Sequence, residues 1–372
     1  MKKVVSFFKK ETVLCIAFLL ALVSCFIVPP TEAYFSYIDF RILGILFALM
    51  LIMSGLTDID IFDKICAFML KKTKTLRQLS FVLVYLCFFT SMFITNDAAL
   101  VTFVPLAIAV FMRAGCDDRV VPIVILQTLA ANLGSMLMPS GNPQNLYLFQ
   151  LSGMNMGEFI LLMLPYSILS LVLITGIILF SGNRKISSLA DDEEHSSDKH
   201  IPMAIIETLM FAAGILTVCR IIPWEYFAGA TALFFIFADR KAFAGVDYSL
   251  LLTFCCFFVF IGNIGSIKEI HDYLGNIVSG HEIPIAVGAS QVISNVPAAL
   301  MLSGFTDRYN KLIIGTDIGG LGTLIASMAS LISYKAVAAK FPDRRKSYLL
   351  KFSLWNIIFL VLLLAECYFL GM

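Results

Sequence analysis

Long apolar runs broken by short polar interruptions organise the chain. One run covers residues 13–28 and ends at Pro29 and Pro30; a second covers 40–55. Residues 57–77 differ. Polar and apolar positions alternate from Thr57 to Ile65, Ile61, Ile65, Phe68 and Met69 recur at helical spacing, and Lys71, Lys72, Lys74 and Arg77 close the segment. That pattern predicts an interfacial amphipathic helix. Two apolar arms, 79–94 and 98–111, then flank the polar Thr95-Asn96-Asp97. They form either a re-entrant hairpin over about 78–112 or two full spans. Asp97 in an apolar context favours the hairpin, because an ionisable group at membrane depth is expensive.

The apolar stretch 120–138 runs into Ser140-Gly141-Asn142-Pro143-Gln144-Asn145. Gly141 and Pro143 break a helix there. The bland outcome is a kink near a membrane face. The alternative is a discontinuous helix of the kind that holds substrates and ions in secondary transporters. A span over 159–180 and a polar, Ser- and acid-rich linker over 182–200 follow. The second half predicts spans at 203–219, 224–238 and 247–264 and an amphipathic segment at 266–281. Next come a hairpin over about 282–306 interrupted by Ser294-Asn295-Val296-Pro297, a stretch 311–333 broken between Gly315 and Thr323, and a last span at 349–370.

The order of elements repeats. This predicts two repeats, 1–181 and 201–372, joined by the linker, in an all-α polytopic membrane protein. Each repeat carries a hairpin and a broken helix, and Asp97 and Asp317 are expected at corresponding places. Lysine and arginine set the orientation. With the N-terminus in the cytoplasm, only Arg41, Arg220, Lys268, Arg308 and Lys311 fall outside, of 27 basic residues. That model has nine spans and two hairpins, one on each side. The C-terminus is then external, the repeats are inverted, and the protein sits in the inner cell membrane. Inverted repeats with broken helices describe an alternating-access carrier with a midplane site.

Composition agrees: 59% of residues are hydrophobic and 14% charged, against about half and a quarter in soluble domains. The net charge of +1 gives no case for nucleic acid. The nine cysteines show no CxxC spacing, and neither a phosphate-binding loop nor a metal-ligand cluster appears, so no enzymatic activity and no resident cofactor are expected. Leu22-Val23-Ser24-Cys25 imitates a lipoprotein cleavage site, but an uncleaved first helix is expected.

These motifs resemble those of the ion transporter superfamily, in its citrate-transporter-like group of divalent-anion/sodium symporters, citrate carriers and arsenite permeases. Asn96-Asp97-Ala98-Ala99 is similar to the hairpin tip of arsenite permease-like members. Ser294-Asn295 is similar to the dicarboxylate symporter tip, with Val296 in place of threonine. Gly141-Asn142-Pro143-Gln144-Asn145 resembles a Gly-x-Pro-x-Asn motif, and Gly319-Gly320-Leu321-Gly322-Thr323 its partner in the second repeat.

The resemblance implies a carrier of small anions, di- or tricarboxylates first, coupled to Na+ or H+, within the lipid bilayer and as a homodimer. Half-helix N-termini at depth suit an anion. The substrate would meet Thr95, Asn96, Asp97, Asn142, Pro143 and Asn145 from the first half. Ser294, Asn295, Val296, Pro297 and Thr323 would face it from the second. A cation would be held by Asp97, Ser140, Gly141, Asn142, Gly315, Thr316, Asp317 and Gly319. In the alternative, each acid merely caps a broken helix end. Gln127 and Asn132 face the cavity or bond between helices. Two further functions remain: an arsenite or oxyanion efflux permease or Na+/H+ antiporter on the same fold, and a non-transporting membrane scaffold or sensor.

Overall fold

The computed structural model describes residues 11–58, 73–186 and 201–372, and the regular elements among them are helices. The first half contains α1 (Thr12–Ile27), the short α2 (Ala33–Tyr37), α3 (Phe40–Asp58), α4 (Leu76–Thr90), α5 (Asn96–Arg113), α6 (Val120–Ser135), α7 (Pro143–Ser152) and α8 (Met156–Phe180). The second contains α9 (Ile201–Val218), α10 (Trp224–Ala238), α11 (Tyr248–Ser266), α12 (Lys268–Val278), α13 (Glu282–Ile293), α14 (Asn295–Ser303), α15 (Tyr309–Gly319), α16 (Met328–Lys340) and α17 (Arg345–Phe369).

This is a polytopic membrane protein. Among the described residues, five helices are long and apolar enough to cross a bilayer: α3, α5, α8, α11 and α17 with its preceding turn. Large apolar side chains such as Leu161, Phe180, Leu209, Phe237 and Val361 stand exposed, while asparagines, glutamines and Asp317 are buried. That inversion of the soluble pattern is what lipid demands, since polar groups lack partners outside.

Several elements depart from their expected bounds. Most of the amphipathic segment expected over 57–77 lies outside the described residues. The start of the expected linker is pinned rather than solvated. Leu76 N donates to Arg184 O at 2.9 Å and Ile186 N to Lys74 O at 3.2 Å, closing an antiparallel bridge at the base of α4. The basic stretch 335–351 forms two helix ends around the turn Pro342–Arg344, because α16 runs to Lys340 and α17 starts at Arg345.

α4 has 15 residues, about 22 Å of helix, short of a hydrocarbon core of about 30 Å. It turns into α5 through 91–95, and both arms lie on α6. Gln127, buried in α6, ties them together: its Nε2 donates to Leu83 O at 3.3 Å and Phe103 O at 3.2 Å. Of the two roles open to it, Gln127 takes the interhelical bond.

The halves interlock. α13 and α14 pack on α15 as α4 and α5 pack on α6, but the half-helix after each break crosses over. α7 docks on α14 and α15, and α16 docks on α5 and α6. α1 lies along α11 and α10 along α3, again one helix from each half. α3 and α11 also begin alike, with Ile38-Asp39-Phe40 and Val246-Asp247-Tyr248. Ile42 N donates to Asp39 Oδ1 at 3.1 Å, and Leu250 N to Asp247 Oδ1 at 2.9 Å.

The C-terminus of α7 is held by Arg220, in the turn between α9 and α10. Its guanidinium donates to Gly153 O at 3.1 Å, Phe149 O at 3.1 Å and Gln150 O at 3.3 Å, and stacks 5.5 Å from the Phe149 ring. The fork satisfies carbonyls that a helix end leaves open. Arg220→Ala is expected to lower stability by about 1–2 kcal/mol, discounted for the exposure of the site. Arg220→Lys should recover little, because an ammonium cannot reproduce the fork. Thermal unfolding in detergent reads both, and full recovery by lysine would refute a geometric role.

Candidate functional site

Both hairpin tips present an asparagine as the first residue of a helix. At the first tip, Thr95 caps α5, accepting from Ala98 N at 3.4 Å. Asn96 Oδ1 folds back to accept from Asp97 N at 2.9 Å. At the second, Asn295 Oδ1 accepts from Val296 N at 3.0 Å, the same fold-back. Ser294 sits at φ 74°, a costly conformation for a residue with a Cβ. It is held by Asn295 N donating to Ala326 O at 3.0 Å and by its own hydroxyl, 3.4 Å from the same carbonyl. The second tip is thereby stitched to the second helix break.

The first break covers 136–142. Asn142 Nδ2 donates to Ser135 Oγ at 2.8 Å across the gap, and Pro143 starts α7, where a missing N–H costs nothing. Ser140 Oγ donates to Met92 O at 3.4 Å, joining the break to the first tip. The second break covers 320–327 and is clamped by Gln291 of α13. Gln291 Nε2 donates to Gly319 O and Leu321 O, both at 2.9 Å, while its Oε1 accepts from Thr323 N at 2.9 Å. A lone amide inside an apolar arm was the only sequence signal for Gln291, and it was missed.

Asn132 of α6 joins the halves. Its Oδ1 accepts from Asn96 Nδ2 at 3.0 Å and from Ser327 Oγ at 3.1 Å, and its Nδ2 donates to Ser330 Oγ at 3.4 Å. Four residues below, Thr128 Oγ1 reaches Ser333 Oγ at 2.7 Å. Between α7 and α15, Gln144 Nε2 donates to Asp317 Oδ1 at 3.4 Å.

Asn96, Asp97, Asn142, Pro143, Ser294, Asn295, Val296 and Pro297 converge on one cavity of about 100 Å³. A larger cavity of about 370 Å³ adjoins it, sharing Asp97, Asn142, Pro143, Asp247 and Leu250. It is lined further by Thr95 and Ser140 and by Ser54 and Thr57 at the end of α3. The starts of six helices, α1, α5, α7, α11, α14 and α16, meet at the smaller cavity. Among the described residues, Glu11, Asp97 and Asp247 are its charged lining, and no lysine, arginine or histidine lines either cavity. Asp97 and Asp247 are both exposed, and both line the two cavities. Sequence reasoning passed over Asp247, although its likeness to Asp39 in the other half was there to find.

The other expected residues lie elsewhere. Gly315 and Gly319 face α13. A Cβ on Gly315 would stand 2.8 Å from Ala286 Cβ, and one on Gly319 2.7 Å from Ser290 Oγ, so the pair allows close helix packing. Thr316 Oγ1 donates back to Leu312 O at 2.7 Å. Thr323 is exposed beside Gln291, and Gly141 is pressed against Ser135. Asn145 and Asp317 are buried behind the cavity wall. Asp97 and Asp317 do not occupy corresponding places: Asp97 follows a tip asparagine, as Val296 does, whereas Asp317 lies in the last turn before a break.

A protein-family model described as "Citrate transporter" matches residues 5–307. The chain is similar to the uncharacterized transporter MJ0456 of Methanocaldococcus jannaschii, 31% identical over 312 residues, which cover 83% of this chain and 84% of that protein. It is also similar to the inner membrane protein YbiR of Escherichia coli K12, 29% identical over 317 residues and 83% of each chain.

Proposed function

The chain belongs to the citrate transporter family, and from that premise we propose that it is a secondary active carrier of small carboxylate anions, coupled to Na+ or H+. The observation that carries this reading is the convergence of helix N-termini on a cavity that, among the described residues, has no basic side chain in its lining. A helix start presents free amides and about half a positive charge. The first turns of α7, α14 and α16 contain no acid to neutralise that charge, so they suit an anion. The starts of α5 and α11 bear Asp97 and Asp247. Those carboxylates suit an accompanying cation, whose charge offsets the cost of an anion at depth.

The two halves act as inverted repeats in this proposal. The crossed packing of α7 and α16, the paired fold-backs at Asn96 and Asn295, and the matching caps at Asp39 and Asp247 support it. The excess of lysine and arginine in the segments expected inside supports a cytoplasmic N-terminus. In this proposal the larger cavity, which reaches Thr57 and Gly245, is the substrate's path to the cytoplasmic face of an inner-membrane protein.

Uptake into proteoliposomes tests the reading. Labelled citrate or succinate should accumulate when an inward Na+ or proton gradient is imposed and not without one. Asn295→Ala should lower uptake by at least about tenfold, a loss of about 1.4 kcal/mol. Unchanged uptake in Asn295→Ala would remove the second tip from the substrate site, and no gradient-driven movement of any solute by the wild type would return the scaffold reading. Asp97 opposite Asp247 favours a second reading, a cation/proton antiporter on the same fold. Cation exchange with no carboxylate movement would select it.

A further inference from the structure

A groove of about 520 Å³ lies along the second half of α7. Three helices line it with one stretch and the larger cavity with another. On α7, Pro143 and Leu146 face the cavity, and Tyr147 and Leu151 face the groove. On α11, Leu250 faces the cavity, and Phe258 and Gly262 face the groove. α3 meets the groove at Phe40 and the cavity from Leu46 to Thr57. Its 19 residues make about 28 Å of helix, so groove and cavity stand toward opposite faces of the bilayer. The groove is bordered by Asp39, whose Oδ2 lies 3.5 Å from Arg41 Nη2. A part-exposed ion pair of this kind belongs at an aqueous face, not in hydrocarbon. Where the two spaces approach each other, Tyr147 fills the gap between α7 and α11. Its ring centroid is 5.8 Å from that of Phe254 and 5.9 Å from that of Phe258, and all three rings are buried. Its hydroxyl is 2.7 Å from Ser303 Oγ at the end of α14. Ser303 Oγ gives its own proton to Leu300 O at 2.8 Å, so Tyr147 is the donor.

We propose that Tyr147, closed on Phe254 and Phe258, is the seal between the cavity and a second vestibule on the opposite face, and that the transported anion leaves or enters through that groove. One layer of uncharged side chains separates two openings that the same three helices reach. Tyr147 is hydrogen-bonded to α14 but meets α11 through rings alone. Ring contacts have no fixed partner atom and give way to sliding more readily than a hydrogen bond between buried groups. Opening therefore parts Tyr147 from Phe254 and Phe258, while Ser303 keeps it on α14. Among the described residues the groove is lined by one carboxylate, Asp39, and by no basic side chain, so it passes an anion and does not hold one. The route rests on the carrier reading above; the seal itself does not.

The test is proton leakage into proteoliposomes that hold the purified full chain and a trapped pH-sensitive dye. KCl with valinomycin compensates the charge, and neither Na+ nor carboxylate is present. After an external acid pulse, wild-type vesicles should acidify no faster than protein-free ones. Tyr147→Ala opens a gap that close packing had excluded, and acidification should quicken by about tenfold or more. Phe258→Ala should act in the same way, and it serves if Tyr147→Ala fails to fold. Tyr147→Phe keeps the ring and should stay within about twofold of the wild type. Alanine variants that melt as folded proteins and stay as tight as the wild type would overturn the seal. So would a wild type that leaks as fast as they do, or a Tyr147→Phe variant that leaks as fast as Tyr147→Ala. Leakage in the alanine variants, with no gradient-driven citrate or succinate uptake by the wild type, would support the seal and overturn the carrier reading.

Discussion

Gly141→Ala is expected to give little folded protein and no transport. A Cβ at this position would stand 2.1 Å from Ser135 O and 2.8 Å from Ser135 C and Cα. All three are backbone atoms, so no side-chain rotation relieves the clash. Residues 136–142 form the break itself, and moving them takes Asn142 from Ser135 Oγ and Ser140 from Met92 O. Overpacking costs about 1–3 kcal/mol where neighbours can shift, and occasionally more; backbone against backbone belongs at the upper end. Gly176→Ala is the control. It lies inside α8 with nothing within 4 Å of the added carbon. There alanine should be neutral or stabilising, since it favours helix by about 0.8–1.0 kcal/mol. Size-exclusion profiles and melting curves of the two variants decide. A monodisperse Gly141→Ala protein with the wild-type melt would show that the break tolerates a side chain.

Asn132→Ala should bring the second-largest loss. It removes the acceptor shared by Asn96 Nδ2 and Ser327 Oγ and the donor to Ser330, all between buried groups. Each buried group left unpaired costs about 1–3 kcal/mol. The loss falls where the first tip meets the second break, so uptake should fall with stability. A double-mutant cycle with Asn96→Ala isolates the contact. The double variant should be less destabilised than the sum of the single ones, because its shared bond can be lost only once. Strict additivity, in melting or in uptake, would mean that Asn132 does not couple the tip to the break.

Much of this molecule was legible before its structure. Apolar runs, and polar tripeptides set inside them, located the turns between α4 and α5 and between α13 and α14 and both breaks. Those signals are local: a bilayer filters each segment by its own length and polarity, and Gly141 with Pro143 interrupts a helix whatever surrounds it. The tips at Asn96 and Asn295 and the break at Asn142 were identified in this way.

Contacts between distant residues were not legible. Asn132 held two possible roles until α16 was seen to cross over and bring Ser327 and Ser330 to it. Gly315 and Gly319, expected as cation ligands, turned out to be the flat face on which α13 lies. Asp97 and Asp317 looked alike as acids in apolar surroundings, yet one opens into the cavity and the other is sealed behind it. Spacing along a chain reports which residues share a face of one helix. It carries no record of which helix of the other half will meet that face. The sequence by itself determined the apolar helices, the breaks and the two asparagine-bearing tips, because lipid and backbone sterics act on short segments. Only the tertiary structure decided that α7 and α16 exchange partners, that six helix starts share one cavity, and that Asp247 faces Asp97, because each depends on side chains brought together from far apart.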